Sequence, residues 1–226
     1  MSGETVLPNI GYKNASEIPM QYDGDQNIRR TAGFWTTYYK IRFRWLGIRY
    51  GAGLIVRGRL LLQIDGKAEN LHIGKNVTLM PGVHLKNREN GTIFLHDRVT
   101  LDTNVRLVAA NNAHIMIGEN ASVGMGSIIN AGDDVIIGRG TITAGYCYIN
   151  VSDHNFSAGT PIRSQGFKHA PISIGEDAWL GAYVFVLRGA RVGHGAVVAA
   201  TSVVSGDIPR NAIVQGQPAK IIKYRE

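Results

Sequence analysis

Residues 174–204 read IGEDAWLGAYVFVLRGARVGHGAVVAATSVV, and the spacing within this stretch decides the fold. Branched apolar residues stand at Ile174, Leu180, Val186, Val192, Val198 and Val204, each six positions after the last. Glycine follows three of them at Gly175, Gly181 and Gly193, and a small residue sits four past each anchor at Ala178, Val184, Ala190, Ala196 and Ser202. A helix repeats every 3.6 residues and a strand every 2, so a period of six belongs to neither alone. It fits a short strand followed by a tight turn, wound repeatedly with one apolar anchor per strand pointing inward. The expected fold is all-β, a parallel β-helix of hexapeptide repeats.

Working outward, the same register runs back to residue 73. Anchors fall at Ile73, Leu79 and Leu85, then Leu95, Leu101 and Leu107, then Ile117, Val123 and Ile129, then Ile137, Thr143 and Ile149. Each triple supplies three strands and closes one triangular turn. The steps between triples are ten, ten, eight and twenty-five residues instead of six. Every insertion follows the third strand, so the loops must stack along a single corner of the prism. Solenoids carry their binding functions on such faces. Cys147 falls on a small interior position shared with Val, Ala, Ser and Thr, which makes it a packing residue.

The 226-residue chain has an ordinary hydrophobic content of 44% and an unusual 28 glycines, many of them explained by the repeat. Its formal charge of +7 suits nucleic acid, an anionic membrane or an anionic small ligand. No nucleic-acid-binding motif is present, so nucleic acid is not expected as a partner. One cysteine excludes an internal disulfide and fits a reducing compartment. No run approaches a membrane span, and the start MSGETVLPNIGYKN lacks the pattern of a secretory signal, so a cytoplasmic location is expected.

The first 28 or so residues read as a poorly ordered arm. Beyond it, Phe34, Tyr38, Ile41, Trp45 and Ile48 form one helical stripe, with Lys40, Arg42, Arg44 and Arg49 around it. Two readings stand: a helix over residues 31–50 caps the open end of the solenoid, or it lies on anionic lipid at the inner face of the membrane. The expected organisation is an arm and helix in 1–50, the catalytic solenoid in 51–206 with a loop at 150–171, and a tail in 207–226.

That loop, NVSDHNFSAGTPIRSQGFKHAP, is the longest insertion and leaves from the looped corner. It carries His154 beside Asp153, near the end of a strand. A neutral imidazole near pH 7 can accept a proton from a hydroxyl or an amine, although an exposed loop histidine has the same appearance in sequence. The other histidines, His72, His84 and His96 among them, do not line up with ligating neighbours on adjacent turns, so no metal is expected. One turn below the loop, Asn130, Asp133 and Asp134 offer planar polar groups of the kind that bind sugars, or cap their own turns.

The motifs INVSDHNF, PISIGEDAWLGAYVFVLRGARVGHGAVVAATSVVSGDIP and IVQGQPAKIIKYR, in this order, resemble the hexapeptide-repeat acyltransferases, in particular the maltose, galactoside and surface-polysaccharide O-acetyltransferases. The resemblance is dense from about residue 117 to 225. It implies a left-handed β-helix, against the usual crossover hand, and a homotrimer with active sites between subunits. It implies acetyl-CoA as donor and a sugar or surface-polysaccharide acceptor, lipid-linked intermediates included. His154 matches the general base, and Asp153 either orients it or receives the sugar. Trp179 matches a residue beside the pantetheine channel, Gly181 and Ala182 its wall, Ala200 a close backbone approach, and Ser205 the polar residue after the last full hexad. Lys220 and Lys223 match bases near the nucleotide phosphates, with Arg225 as a helper. Ser205-Gly206-Asp207 replaces a common Thr-Lys-Asp, and Asn155-Phe156 replaces a proline after the histidine, which leans toward the polysaccharide branch. A xenobiotic acetyltransferase, an amino-sugar N-acetyltransferase and a non-catalytic scaffold are the competing readings.

Overall fold

The computed structural model describes residues 25–226, with side chains from Gly33 onward. The expected arm lies outside the described residues up to Met1–Gly24, and helix α1 (Asp25–Leu46) begins where it was expected to end.

After α1 the strands pass in rotation through three sheets of eight, nine and seven strands, parallel except for the last strand of the second, giving seven complete turns of a β-solenoid. Each strand lies in register on its equivalent in the next turn, as Val123 on Thr143, Ile129 on Ile149 and Ile137 on Ile174. Backbone hydrogen bonds therefore run along the axis; Ile142 N donates to Ala178 O and Trp179 N to Ala196 O, both at 2.9 Å. The hexad anchors fill the interior, and Ile129, Ile149, Ile174, Leu180, Val186 and Val198 are all buried. At the corners the turns approach so closely that only glycine fits. A Cβ on Gly138 would sit 2.4 Å from Glu176 N, and one on Gly181 2.5 Å from Ala200 N.

The solenoid begins at Arg49, one turn ahead of Ile73, where the hexads become readable. Arg49–Tyr50, Ile55–Val56 and Leu61–Ile64 form a first turn, with Tyr50, Val56 and Leu62 in register under Ile73, Leu79 and Leu85. Leu54 and Leu60 occupy its position-four sites, where later turns carry smaller residues. Both belong to the same buried cluster as Tyr39 and Phe43 of α1. The solenoid also ends later: Asp207–Ile208 joins the first sheet and Ala212–Gly216 the second. Ala219–Tyr224 then folds back antiparallel on Ala212–Gly216. The stretch expected as a tail is thus mostly solenoid and one closing strand. All the long connections lie between the third and first sheets, as the spacing predicts.

Helix α1 caps the open end, but with a different face from the expected stripe. Tyr39 and Phe43 are buried, and Trp35 and Leu46 pack beside them. The side chains also pair with the backbone edge of the first turn. Tyr39 Oη accepts from Leu60 N at 2.7 Å and donates to Leu60 O at 3.1 Å, and Thr36 Oγ1 makes the same pair of contacts with Val56 N and O at 2.9 and 3.2 Å. Covering an edge strand needs such partners as well as apolar area, and this selects Tyr39 and Thr36 over the more hydrophobic face. Phe34, Tyr38, Ile41 and Trp45 are left exposed, while Ile48 is buried beyond the helix end. Replacing Tyr39 with Phe should cost about 1–3 kcal/mol by orphaning the buried Leu60 groups. Trp45→Ala should change stability by less than about 0.5 kcal/mol. Urea denaturation of the two variants measures the contrast.

Candidate active site

The long insertion is an ordered hairpin. Ser152–His154 pairs antiparallel with Phe167–His169, matching Ser152 to His169, Asp153 to Lys168 and His154 to Phe167. The hairpin is anchored at its base, where Ser152 Oγ lies 2.7 Å from His169 Nδ1 and the His169 ring packs over Gly132 of the turn below. Its tip is tied internally by Gln165. That side chain donates to the carbonyls of Ser157 and Thr160 at 3.0 and 2.7 Å, and its oxygen accepts from Ser157 N at 2.7 Å.

His154 is exposed, and its ring rests on Phe167 with centroids 4.1 Å apart. Strand alternation sends Asp153 to the opposite face of the hairpin. There its Oδ2 accepts from Arg188 Nε at 2.8 Å, so Asp153 is tied to Arg188 and does not orient His154. Among the described residues the His154 imidazole has no hydrogen-bond partner, which leaves both ring nitrogens open.

Beside the hairpin lies the outward face of the third sheet. Asn130 and Asn150 are neighbours across adjacent strands. Asn130 Nδ2 donates to Tyr148 Oη at 3.1 Å, and its Oδ1 lies 3.5 Å from Arg106 Nη1. Asn150 Nδ2 donates to Ser152 O at 2.6 Å. Asp133 and Asp134 turn toward their own corner: Asp133 accepts from Asp134 N at 2.8 Å, and Asp134 from His114 N at 2.8 Å and His114 Nδ1 at 3.0 Å. Of the acceptor candidates, Asn130 therefore faces the hairpin side of the sheet, while Asp133 is a turn cap. Further down the same face, burial and the nearby Arg106 and Lys86 hold His84 below the usual imidazole range. Arg188, Tyr148, Asn150 and Phe167 escape sequence reading. Arg188 could have been found as a basic residue one turn above the loop's base; the others follow only from register.

The coenzyme candidates divide into two groups. Trp179 projects from the second sheet, exposed between Ile142 and Val197. Gly181, Ala182 and Ala200 sit just beyond it at the corner leading to the third sheet, where Thr201 N donates to Ala182 O at 2.8 Å. Lys220 and Lys223 are exposed on the last strand of that same sheet, three strands from Trp179 and so roughly 14 Å away. Arg225 is committed elsewhere, its guanidinium donating to Gly195 O at 2.8 Å and Asp177 Oδ2 at 3.0 Å. Ser205 lies across the third sheet, following Val204 where Val186 and Val204 pair, and so belongs on the hairpin side. A single chain thus keeps the Trp179 group and the His154 group at opposite edges of the third sheet. The corner nearest Trp179 is also apolar and exposed. Tyr146 and Tyr183 stack there with centroids 5.1 Å apart at φ of 61° and 59°, with Met125 and Phe185 beside them.

Cys147 is buried, and its Sγ lies 3.2 Å from Gly181 O and 3.4 Å from Ala144 O. Burial pushes its thiol above the usual range, in keeping with a packing role. Among the described residues, no group of three or more His, Cys, Asp or Glu is placed to hold a metal ion.

Comparison with known proteins agrees with this architecture. Residues 171–205 match the family described as hexapeptide repeat of succinyl-transferase. WbbJ of Escherichia coli K12, named as a lipopolysaccharide biosynthesis O-acetyl transferase, is 36% identical over 146 residues, covering 60% of this chain and 74% of WbbJ. A Mycobacterium tuberculosis protein named as an acetyltransferase is 32% identical over 197 residues, covering 85% of this chain; the chain spans 59% of that relative's length. Among solved structures, the polySia-specific acetyltransferase NeuO superposes with a TM-score of 0.54 at 24% identity, covering 78% of this chain and 85% of NeuO. AntD, an N-acyltransferase from Bacillus cereus solved with dTDP and 3-hydroxybutyryl-CoA, gives 0.56 at 15% identity, covering 83% and 88%. Both share the fold. The Cys147 environment generates a direct test: a thiol reagent at pH 8 should leave the folded chain unmodified and label one thiol per chain in urea.

Proposed function

The chain belongs to the hexapeptide-repeat acyltransferase family, and on that premise we propose that it moves an acetyl group from acetyl-CoA to a hydroxyl of a sugar or surface polysaccharide. The observation that carries the reading is His154: an imidazole on a braced hairpin, backed by Phe167, with both nitrogens unengaged. A ring held this way can accept the proton of an acceptor hydroxyl as its oxygen attacks the thioester carbonyl. The C–O bond forms, the carbonyl becomes a tetrahedral oxyanion held by backbone N–H groups, and the C–S bond then breaks. The proton passes from the imidazole to the departing sulfur, leaving ester and free coenzyme thiol with His154 neutral again.

The acceptor would lie on the outward face of the third sheet against the hairpin. Asn130 and Asn150 supply amides there, and Arg188 holds Asp153 in place with one carboxylate oxygen still free to accept a sugar hydroxyl. Planar groups of this kind make the paired hydrogen bonds that sugars use. The acyl-CoA would run along the second sheet from Trp179 toward Lys220 and Lys223. That span of roughly 14 Å suits a pantetheine arm with its phosphates at the basic end. A solved protein of the same fold holds an acyl-CoA, and the sugar context follows the name of WbbJ.

The two groups lie apart within one chain, and a homotrimer would bring the Trp179 edge of one subunit to the His154 edge of the next. The exposed aromatic corner at Tyr146, Tyr183 and Phe185 is the kind of apolar surface that such a seam covers. His154→Ala should lower turnover about 10²- to 10⁴-fold while coenzyme A binding stays near that of the parent. Free-thiol release across a panel of sugar acceptors, together with calorimetric titration of coenzyme A, makes the measurement. Equal loss of turnover and binding would make His154 a structural residue, and the absence of thiol release with any acceptor, in the parent as in the variant, would favour a scaffold.

A further inference from the structure

Helix α1 serves the solenoid with one face and leaves the opposite face without a partner. Phe34, Tyr38, Ile41 and Trp45 are 65%, 42%, 65% and 85% exposed. At about 100° of turn per residue, the four fall within an arc of roughly 60°, opposite the buried Tyr39 and Phe43. Four large apolar side chains in one line on a helix are more than scattered surface hydrophobics, and no packing need of the solenoid explains them. Within the stripe Phe34 and Tyr38 stack with centroids 6.5 Å apart, and Trp35 of the core-facing side meets Tyr38 edge-on at 6.0 Å.

The charge around the stripe is one-sided. Between residues 26 and 64 the sequence holds eight basic residues and no acidic one. Arg44 flanks the stripe on one side, with Lys40 further round toward the buried face, and Arg42 flanks it on the other, where its Nη1 lies 3.4 Å from Tyr38 Oη. Among the described residues, no carboxylate pairs with these three. Long basic side chains bordering an aromatic and aliphatic ridge complement an anionic lipid surface. The ridge enters the acyl boundary, the Trp and Tyr rings sit at headgroup depth, and the cations meet phosphates. No helix among the described residues is long and apolar enough to cross a bilayer, so the geometry is that of a helix lying in the interface.

We propose that the outer face of α1 docks the protein on an anionic phospholipid bilayer, with the stripe Phe34, Tyr38, Ile41 and Trp45 inserted and Lys40, Arg42 and Arg44 on the headgroups. The inner face stays bound to the first turn, so docking requires no unfolding of the cap. The solenoid axis would then stand away from the membrane, with the His154 hairpin five turns from the lipid-facing end. This inference rests on α1 alone and is independent of the acyl-transfer reading.

Co-sedimentation of the full chain with phosphatidylcholine vesicles, and with vesicles also containing phosphatidylglycerol, tests it. The expected result is binding to the anionic vesicles only, falling at least about tenfold when salt is raised past the range where surface charges are screened. Phe34→Ser/Trp45→Ser should lower that binding at least about tenfold, and Arg42→Gln/Arg44→Gln should remove the preference for anionic lipid. Phe34, Trp45 and Arg44 are exposed and Arg42 is half-buried on the outer side of the helix, so the thermal melting of both variants should match the parent and show that the cap is intact. No sedimentation with anionic vesicles at low salt overturns the proposal. So does binding that Phe34→Ser/Trp45→Ser leaves unchanged, or a larger particle in lipid-free solution that this variant splits, which would assign the stripe to a contact between copies.

Discussion

Every turn of this protein depends on the axial hydrogen bonds that join it to the turns above and below. A parallel strand of two to four residues has no independent stability, and its backbone groups are satisfied only by the neighbouring turns. This constraint explains the uniformity of the interior. An anchor such as Ile129 must pack directly under Ile149, and Ile149 under Val186, so each hexad must carry a branched residue of similar size. It also explains the corner glycines, because successive backbones approach within distances that a Cβ would violate.

The same constraint decides where chemistry can be placed. Strands and two of the three corners are locked by their stacking, and only the connection from the third sheet to the first accepts extra residues. The insertion after Val151 uses that freedom to build a two-stranded hairpin, which the ion pair Asp153–Arg188 and the contact of His169 with Gly132 fasten to the scaffold. A side chain on such a hairpin is placed with the precision of the sheet it leaves. The polar ladder of Asn130, Tyr148 and Asn150 beside it is likewise set by register.

Much of this is legible in the chain itself, and the failures have physical causes. The period of six reveals the three-sided solenoid from Ile73 onward because anchors and small residues alternate within every triple and the interruptions all fall after the third strand. The first turn is hidden because Leu54 and Leu60 replace small residues where the cap packs. The extent of the C-terminal part is hidden because Val204 to Ile208 spans four residues and breaks the period. For α1, hydrophobic spacing finds the helix but selects the wrong face to bury. Apolar patterning cannot see that an open sheet edge needs hydroxyls, so Thr36 and Tyr39 outrank Phe34 and Trp45. In the loop, the sequence allows Asp153 two roles, orienting His154 or receiving the sugar, and alternation along a strand, which sends adjacent side chains to opposite faces, removes the first.

The two ends of the solenoid have a consequence for how the molecule survives at high concentration. A stack of parallel turns exposes, at each terminus, a template on which another stack could continue indefinitely as a fibre. At one terminus Thr36 and Tyr39 take up the N–H and C=O of Val56 and Leu60 under the bulk of α1, and at the other the strand Ala219–Tyr224 runs in the reverse direction, with no in-register site for a further parallel turn of that sheet. The remaining two sheets finish on strands of only two residues, Val203–Val204 and Asp207–Ile208. Stacking cooperativity is thereby kept within one chain, and linear polymerisation is denied a starting edge.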